Sequence, residues 1–158
     1  MILTLVAAHD PNLVIGKEGG LPWRYPEDLK HFKKTTLDHT VIMGRGVFEE
    51  LNEIPLPKRR NIVLSTTKSY DENKVESYAS LEEALTACKG EDEVFIIGGG
   101  VLYRETIGIA VKLIITKIKK EYEGDTYFPE YRNQIGEVWK ETDKEETEEL
   151  VFVVYERI

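Results

Sequence analysis

The chain has one cysteine, Cys88, among 158 residues. That excludes an internal disulfide and a cluster of thiolate metal ligands. Histidine is also scarce, and His9, His31 and His39 do not stand at the spacings metal sites use, so no metal is expected. No apolar run approaches the roughly 18 residues of a membrane span. The opening MILTLVAAHD lacks a basic leader and a full-length apolar segment, so it reads as a first strand, and a cytoplasmic protein is expected. Positive charge is in deficit, with 21 Lys/Arg against 29 Asp/Glu and a formal net charge of −8. This argues against nucleic acid or an anionic membrane as a bulk partner. The deficit is uneven: residues 24–60 hold eight basic and six acidic side chains, a net of +2, leaving −10 for the rest. A basic middle suits a small anionic ligand, and chance surface variation accounts for it equally well.

What is present suits one globular domain over residues 1–158, with 41% hydrophobic content and a sizeable core. ILTLVAA (2–8) is apolar without alternation, the pattern of a strand covered on both faces. HTVIM (39–43), NIVLS (61–65), EVFII (93–97) and VKLIITKI (111–118) read as further strands, and LVFVVYERI (150–158) as a final one. Short strands are expected at 74–78 and 138–141. Helices are expected at 26–35, 44–52, 101–107 and after the capping box of Ser80 and Glu83. Residues 10–26 and 123–131 read as loops, and the acidic ETDKEETEE (141–149) as a solvated hairpin turn. Strand and helix alternate through two-thirds of the chain and strands alone finish it, which predicts an α/β fold with a mixed sheet.

Three strands run into polar or glycine-rich turns: VIM–GRG (41–46), IVLS–TTK (62–68) and FII–GGG (95–100). Ligands of open α/β sheets gather beyond the carboxyl ends of strands. One extended phosphorylated ligand across the three turns, with Arg45 as a charged contact, is one reading, and tight strand–helix packing is the other. There is no GxGxxG after the first strand and no GxxxxGK[ST]. Within GLPWRYPEDLKHFKK (20–34), Asp28 precedes Phe32 by four residues and so borders the apolar stripe of its helix. It is either a first-turn acid on the helix dipole or an acid facing an apolar pocket, where burial would raise its pKa.

Taken in order, VIG (14–16), LPW (21–23), PEDLKHFKKTT (26–36), VIMGR (41–45), PLPKRRNIVLS (55–65), IIGGG (96–100), Tyr103, Thr116 and EGDTYFP (123–129) resemble the dihydrofolate reductase family over essentially the whole chain. The resemblance implies an eight-stranded, mostly parallel sheet flanked by four helices. It implies NADPH-dependent reduction of 7,8-dihydrofolate to tetrahydrofolate by hydride transfer to C6 with protonation at N5. Antifolate inhibitors and a monomeric state are implied with it. Asp28 would bind the 2-amino and N3 edge of the pterin and favour N5 protonation, with Thr116 as its hydrogen-bond partner. Val6, Ala8, Leu29, Phe32, Leu51, Ile54, Ile97 and Tyr103 would line the substrate pocket, and Arg59 would meet the glutamate α-carboxylate. Residues 16–24 would form a mobile lid with Trp23 at its base.

On the cofactor side, the resemblance points to Arg45, Ser65 and Thr66 at the adenosine 2′-phosphate and adenine, beside Leu64. Gly44, Gly46, Val47, Gly98, Gly99, Gly100, Val101 and Leu102 would approach the phosphates, with a cis peptide between Gly98 and Gly99. Ala8, Ile15, Gly16, Gly20, Leu21, Trp23, Ile97, Tyr103 and Thr126 would surround the nicotinamide end. The family commonly has threonine where this chain has Val47, so one hydroxyl contact is missing. The related reductase of riboflavin synthesis and a non-catalytic nucleotide- or pteridine-binding protein are competing readings. LPW, PEDL and Arg59 argue against the first, and the Val47 position motivates the second.

Overall fold

Strand β1 (Ile2–His9) is the axis of the molecule. It pairs in parallel with β6 (Glu93–Ile96) on one side and β7 (Lys112–Ile118) on the other. Its apolar run is explained by burial on both faces. Leu5 packs with Ile42, Ile62, Ile96, Leu113 and Ile115 in one core, while Val6 points the other way into Val41, Met43, Val63, Phe95 and Phe48. Successive residues of a strand face opposite sides of the sheet, so a strand between two cores has no polar face to show. The computed structural model describes residues 1–71 and 73–158.

The remaining strands are β3 (Thr40–Gly44), β4 (Arg60–Leu64), β5 (Glu76–Tyr78), β9 (Trp139–Glu146) and β10 (Leu150–Arg157). With the first three they form an eight-stranded sheet in the order β5-β4-β3-β6-β1-β7-β10-β9. The pairs from β5 to β7 are parallel, and β10 and β9 close the sheet antiparallel. Four α-helices flank it: α1 (Pro26–Thr36), α2 (Arg45–Glu50), α3 (Leu81–Ala87) and α4 (Gly100–Thr106). Helix α1 starts with proline in its first turn, Glu27 and Asp28 near its positive end, and Lys33 and Lys34 in the last turn. At α3, Ser80 Oγ accepts from the Glu83 N–H at 3.1 Å, and Glu83 returns to the N–H of Ala79 at 3.2 Å. The box therefore closes one residue earlier than its usual form.

Two expectations are corrected. Residues 141–149 are not one long turn: most of the stretch is β9, and only 147–149 connect it to β10. Every residue of β9 after Trp139 is exposed, so the strand is held by backbone pairing to β10 and has no apolar periodicity to read. Its charges also blunt an open sheet edge. β10, paired on both sides, is interior to the sheet. Second, the expected loops at 10–26 and 123–131 carry a separate two-stranded ribbon of β2 (Val14–Gly16) and β8 (Thr126–Tyr127).

Candidate active site

β1, β3, β6 and β7 run parallel, so their carboxyl ends lie along one edge of the sheet, and the site is built there. Asp28, in the first turn of α1, is brought against β7, where Thr116 donates its hydroxyl to Asp28 Oδ1 at 2.6 Å. Burial pushes the Asp28 carboxyl up from its ordinary value, and the Thr116 hydrogen bond and nearby His31 oppose that rise. Both readings of Asp28 are thus satisfied: it stands in the first turn of its helix and lines a cavity.

That cavity, of ≈ 260 Å³, has Val6, Ala8, Leu29, Phe32, Leu51, Ile97 and Tyr103 among its walls beside Asp28 and Thr116. Its mouth carries Ile15, Gly16, Gly20, Leu21, Trp23 and Thr126. Two expected residues lie elsewhere. Ile54 is 63% exposed and off the cavity wall. Arg59 is fixed on the adjoining loop, donating from Nε to the Pro57 carbonyl at 2.9 Å and from Nη1 to Thr36 Oγ1 at 3.1 Å. The wall also includes Gly19 of the expected 16–24 segment, and Ala7, His31, Glu50 and Leu56, which sequence reasoning missed. His31 had a signal, since it stands three residues after Asp28 and hence on the same helix face.

A second cavity of ≈ 370 Å³ shares Val47, Glu50 and Gly99 with the first and runs between Gly44, Arg45, Gly46, Gly100, Val101 and Leu102. A third, of ≈ 520 Å³, shares Arg45, Leu64 and Glu105 with the second and ends at Ser65, Thr66, Thr67 and Ser80. The three form one continuous trough. A Cβ at Gly46 would meet nothing within 4 Å, and one at Gly99 would meet Val47 at 3.8 Å, so bare backbone leaves its floor open. The Gly98–Gly99 peptide is cis. Arg45 Nη1 donates to Thr67 Oγ1 at 2.7 Å, and its Nε pairs with Glu49 at 3.3 Å. A guanidinium among three hydroxyl side chains, at the end of a glycine-floored trough, is a donor set suited to a phosphate monoester.

Residues 16–24, the expected lid, are ordered by local chemistry. Lys17 and Gly20 exchange backbone hydrogen bonds at 2.8 and 3.0 Å across Glu18 and Gly19. Both central residues have positive φ, 49° and 79°, which a two-residue hairpin of this type demands and glycine meets without strain. The hairpin docks on the segment before β8: Asp125 Oδ2 accepts from the Glu18 N–H at 2.9 Å, and the Asp125 N–H donates to the Gly16 carbonyl at 3.0 Å. Trp23 is 9% exposed at the base of the lid, with its ring 5.1 Å from Tyr122. Tyr103 is buried in the floor, donating its hydroxyl to the Val6 carbonyl at 2.6 Å.

A family model described as dihydrofolate reductase matches residues 2–157. The chain belongs to the dihydrofolate reductase family. Among relatives of that family, the dihydrofolate reductase HdrB of Haloferax volcanii is 39% identical, covering 97% of this chain and 82% of that protein. The dihydrofolate reductase of Bacillus subtilis is 42% identical, covering 82% of this chain and 77% of that protein. A solved dihydrofolate reductase from Enterococcus faecalis, complexed with NADP(H) and RAB-propyl, superposes with a TM-score of 0.86 at 36% identity, covering 99% of this chain and 96% of that one. The eight-stranded sheet and flanking helices are thus the dihydrofolate reductase fold.

Proposed function

We propose that the chain reduces 7,8-dihydrofolate to 5,6,7,8-tetrahydrofolate with NADPH, acting as a cytoplasmic monomer. The observation that carries this is Asp28: a half-buried carboxylate, bonded by Thr116, in an apolar cavity that opens into a glycine-floored trough ending at Arg45. Each carboxylate oxygen has two acceptor sites, so Asp28 can accept from Thr116 on Oδ1 and still take both N–H donors of the N3 and 2-amino edge of a pterin. Two parallel N–H donors on a flat ring match it, and the apolar walls of Phe32, Leu51 and Ile97 hold the ring faces. Arg59, held by Pro57 and Thr36, lies on the loop beside Leu56 of the wall, where a guanidinium can meet the glutamate carboxylate.

The trough residues fit an NADPH molecule. Arg45 with Ser65, Thr66 and Thr67 would hold the 2′-phosphate, and the backbone of Gly46 and Gly98–Gly100 would approach the pyrophosphate. When bound, NADPH supplies the hydride that reaches C6. The chain's own part is placement and charge. The docked lid and Trp23 exclude water above the reacting edge. Asp28, whose proton affinity is raised by burial, favours the protonated ring at N5 through the field it sets across the cavity.

The test is spectrophotometric: NADPH oxidation should depend on added dihydrofolate and proceed more slowly with NADH. Protein that binds NADPH yet shows no dihydrofolate-dependent oxidation would overturn the proposal.

A further inference from the structure

The substrate cavity and the glycine-floored trough meet at a seam of three residues, Val47, Glu50 and Gly99, which line both. Val47 is apolar and Gly99 offers only backbone, so Glu50 is the ionisable group of the seam. It ends helix α2 and is exposed there. No hydrogen bond or ion pair holds its side chain among the described residues. Partial burial raises the Glu50 carboxyl above its ordinary value, and no partner offsets that rise. Arg45, the cation of α2, is engaged instead by Glu49 at 3.3 Å and by Thr67 at 2.7 Å. The field of Glu50 reaches the cavity floor, where Tyr103 holds its hydroxyl proton more tightly because of burial first, then Asp28 and Glu50. A carboxylate without a partner beside a ligand channel is a fixed negative charge that the ligand must meet.

A nicotinamide dinucleotide that lies in the trough and gives up hydride in the Asp28 cavity has to cross this seam. Its phosphates are the same in both redox states, and its ring is not. The dihydronicotinamide is neutral. Once the hydride, with its electron pair, has passed to the substrate, the ring carries a full positive charge. We propose that Glu50 selects between these states: its carboxylate at the seam favours the oxidised, cationic ring over the reduced, neutral one. It thereby sets the balance of NADP⁺ against NADPH on the protein. This rests on the reductase reading of the trough and cavity. The attraction acts through space on a delocalised charge, so it needs no hydrogen bond and no fixed alignment. Solvent screens it, which keeps it modest. Positive charge builds on the ring as the hydride departs, so the same carboxylate stabilises the departure more than the bound reactants. Asp28 is the other carboxylate of the cavity, but Thr116 and the pterin edge engage it.

The test is equilibrium binding at pH 8 and low ionic strength, without dihydrofolate, for wild type, Glu50→Gln and Glu50→Asp. Three probes are titrated by calorimetry: NADP⁺, NADPH and adenosine 2′,5′-bisphosphate, which fills the trough without a nicotinamide. Glutamine keeps the shape and removes the charge. It should weaken NADP⁺ relative to NADPH by roughly three- to tenfold, the worth of one screened unit charge. The bisphosphate should stay within about twofold of its wild-type affinity. Glu50→Asp keeps the charge and should retain part of the preference. Equal changes for NADP⁺ and NADPH, no change in either, or a bisphosphate that moves as far as NADP⁺ would overturn the proposal. So would an aspartate variant no different from glutamine. If Glu50→Gln does not fold, Glu50→Ala takes its place, with a good helix former at an exposed helix end and the same expected ratio. A preference that is lost in Glu50→Gln, in protein that oxidises no NADPH with dihydrofolate, would strike the reductase reading and leave this one standing. Normal turnover with an unchanged ratio does the reverse.

Discussion

Thr116 and Asp28 are 88 residues apart in sequence and 2.6 Å apart in space. The bond joins a helix that enters after the lid to a strand laid beside β1 two-thirds of the way along the chain. Neither residue reaches the other until α1 packs against β7. The site therefore reports on that packing, with burial raising the Asp28 carboxyl and the hydroxyl and His31 opposing the rise.

Replacing Asp28 with asparagine keeps the shape and the Thr116 contact but removes the charge. Turnover near neutral pH should fall by roughly 10²- to 10⁴-fold, the range of a lost acid–base group. NADPH affinity, measured by fluorescence titration, should change by no more than about twofold, because the trough residues lie elsewhere. Affinity for 2,4-diaminopyrimidines should fall with turnover, and equal losses for cofactor and inhibitor would remove Asp28 from its assigned place.

The same substitution should stabilise the empty protein. Burial raises the Asp28 carboxyl above its ordinary value, so the folded state holds that proton to higher pH than the unfolded chain. Asp28's contribution to stability therefore declines as pH rises through the raised value. Asp28→Asn should melt higher than wild type at pH 7, with the gap closing below the ordinary carboxylate range. Thermal scans at pH 7 and pH 3.5 check this.

Arg45→Ala should raise the KM for NADPH by roughly 10- to 100-fold, the worth of one or two charge-assisted hydrogen bonds. The KM for NADH should move little. Steady-state assays with both nucleotides decide it, and parallel changes would place the 2′-phosphate elsewhere.

His9 is a pH liability of the core. It is 2% exposed, and its Nδ1 contacts the Asp10 carbonyl at 2.7 Å, which requires the proton on that nitrogen. Nε2 then accepts from the Tyr131 hydroxyl at 2.8 Å. Burial lowers the His9 pKa to about 4 from the ordinary 6.5. The unfolded chain takes up its proton first on acidification, so about 3 kcal/mol of stability is lost between pH 6.5 and pH 4. Urea unfolding of wild type and His9→Phe at pH 7, 5.5 and 4 should show a flatter pH dependence in the variant.

Gly124 is the tightest point under the lid. A Cβ there would stand 2.2 Å from Val14 Cγ1 and 2.6 Å from the Gly16 carbonyl oxygen. Gly124→Ala must push β2 away from β8, at a cost of roughly 1–3 kcal/mol. Because Glu18 and Asp125 flank this contact, the KM for dihydrofolate should rise as well. Calorimetry and steady-state kinetics on the variant check both.

Much of this architecture was legible in sequence where burial imposes a period. β1 was readable from its unbroken apolar run, and α1 from Pro26, its first-turn acids and the Leu29–Phe32 spacing. Of β9 only the start was, as the short strand expected at 138–141; the rest is exposed on both faces, carries no hydropathy signal and is set by the backbone of β10. β2 and β8, three and two residues long, are too short for any period. In the site, Asp28 was ambiguous from its helix alone, and the distant Thr116 resolves it. Glu50 gave no signal, because its place on the wall depends on how α2 lies against the glycine turn of β6, a tertiary fact.

Asp10 is wholly buried, and its carboxylate accepts from the N–H groups of Asn12 and Val14, both at 2.8 Å, and of Tyr122 at 2.9 Å. One side chain thus moors both the segment that leads into the lid and the segment on which the lid rests. The hairpin itself is held to that second segment by the Glu18–Asp125 and Gly16–Asp125 bonds and the Lys17–Glu123 ion pair. The two banks are tied to a common post, which holds the segment before the hairpin in register with the one it rests on.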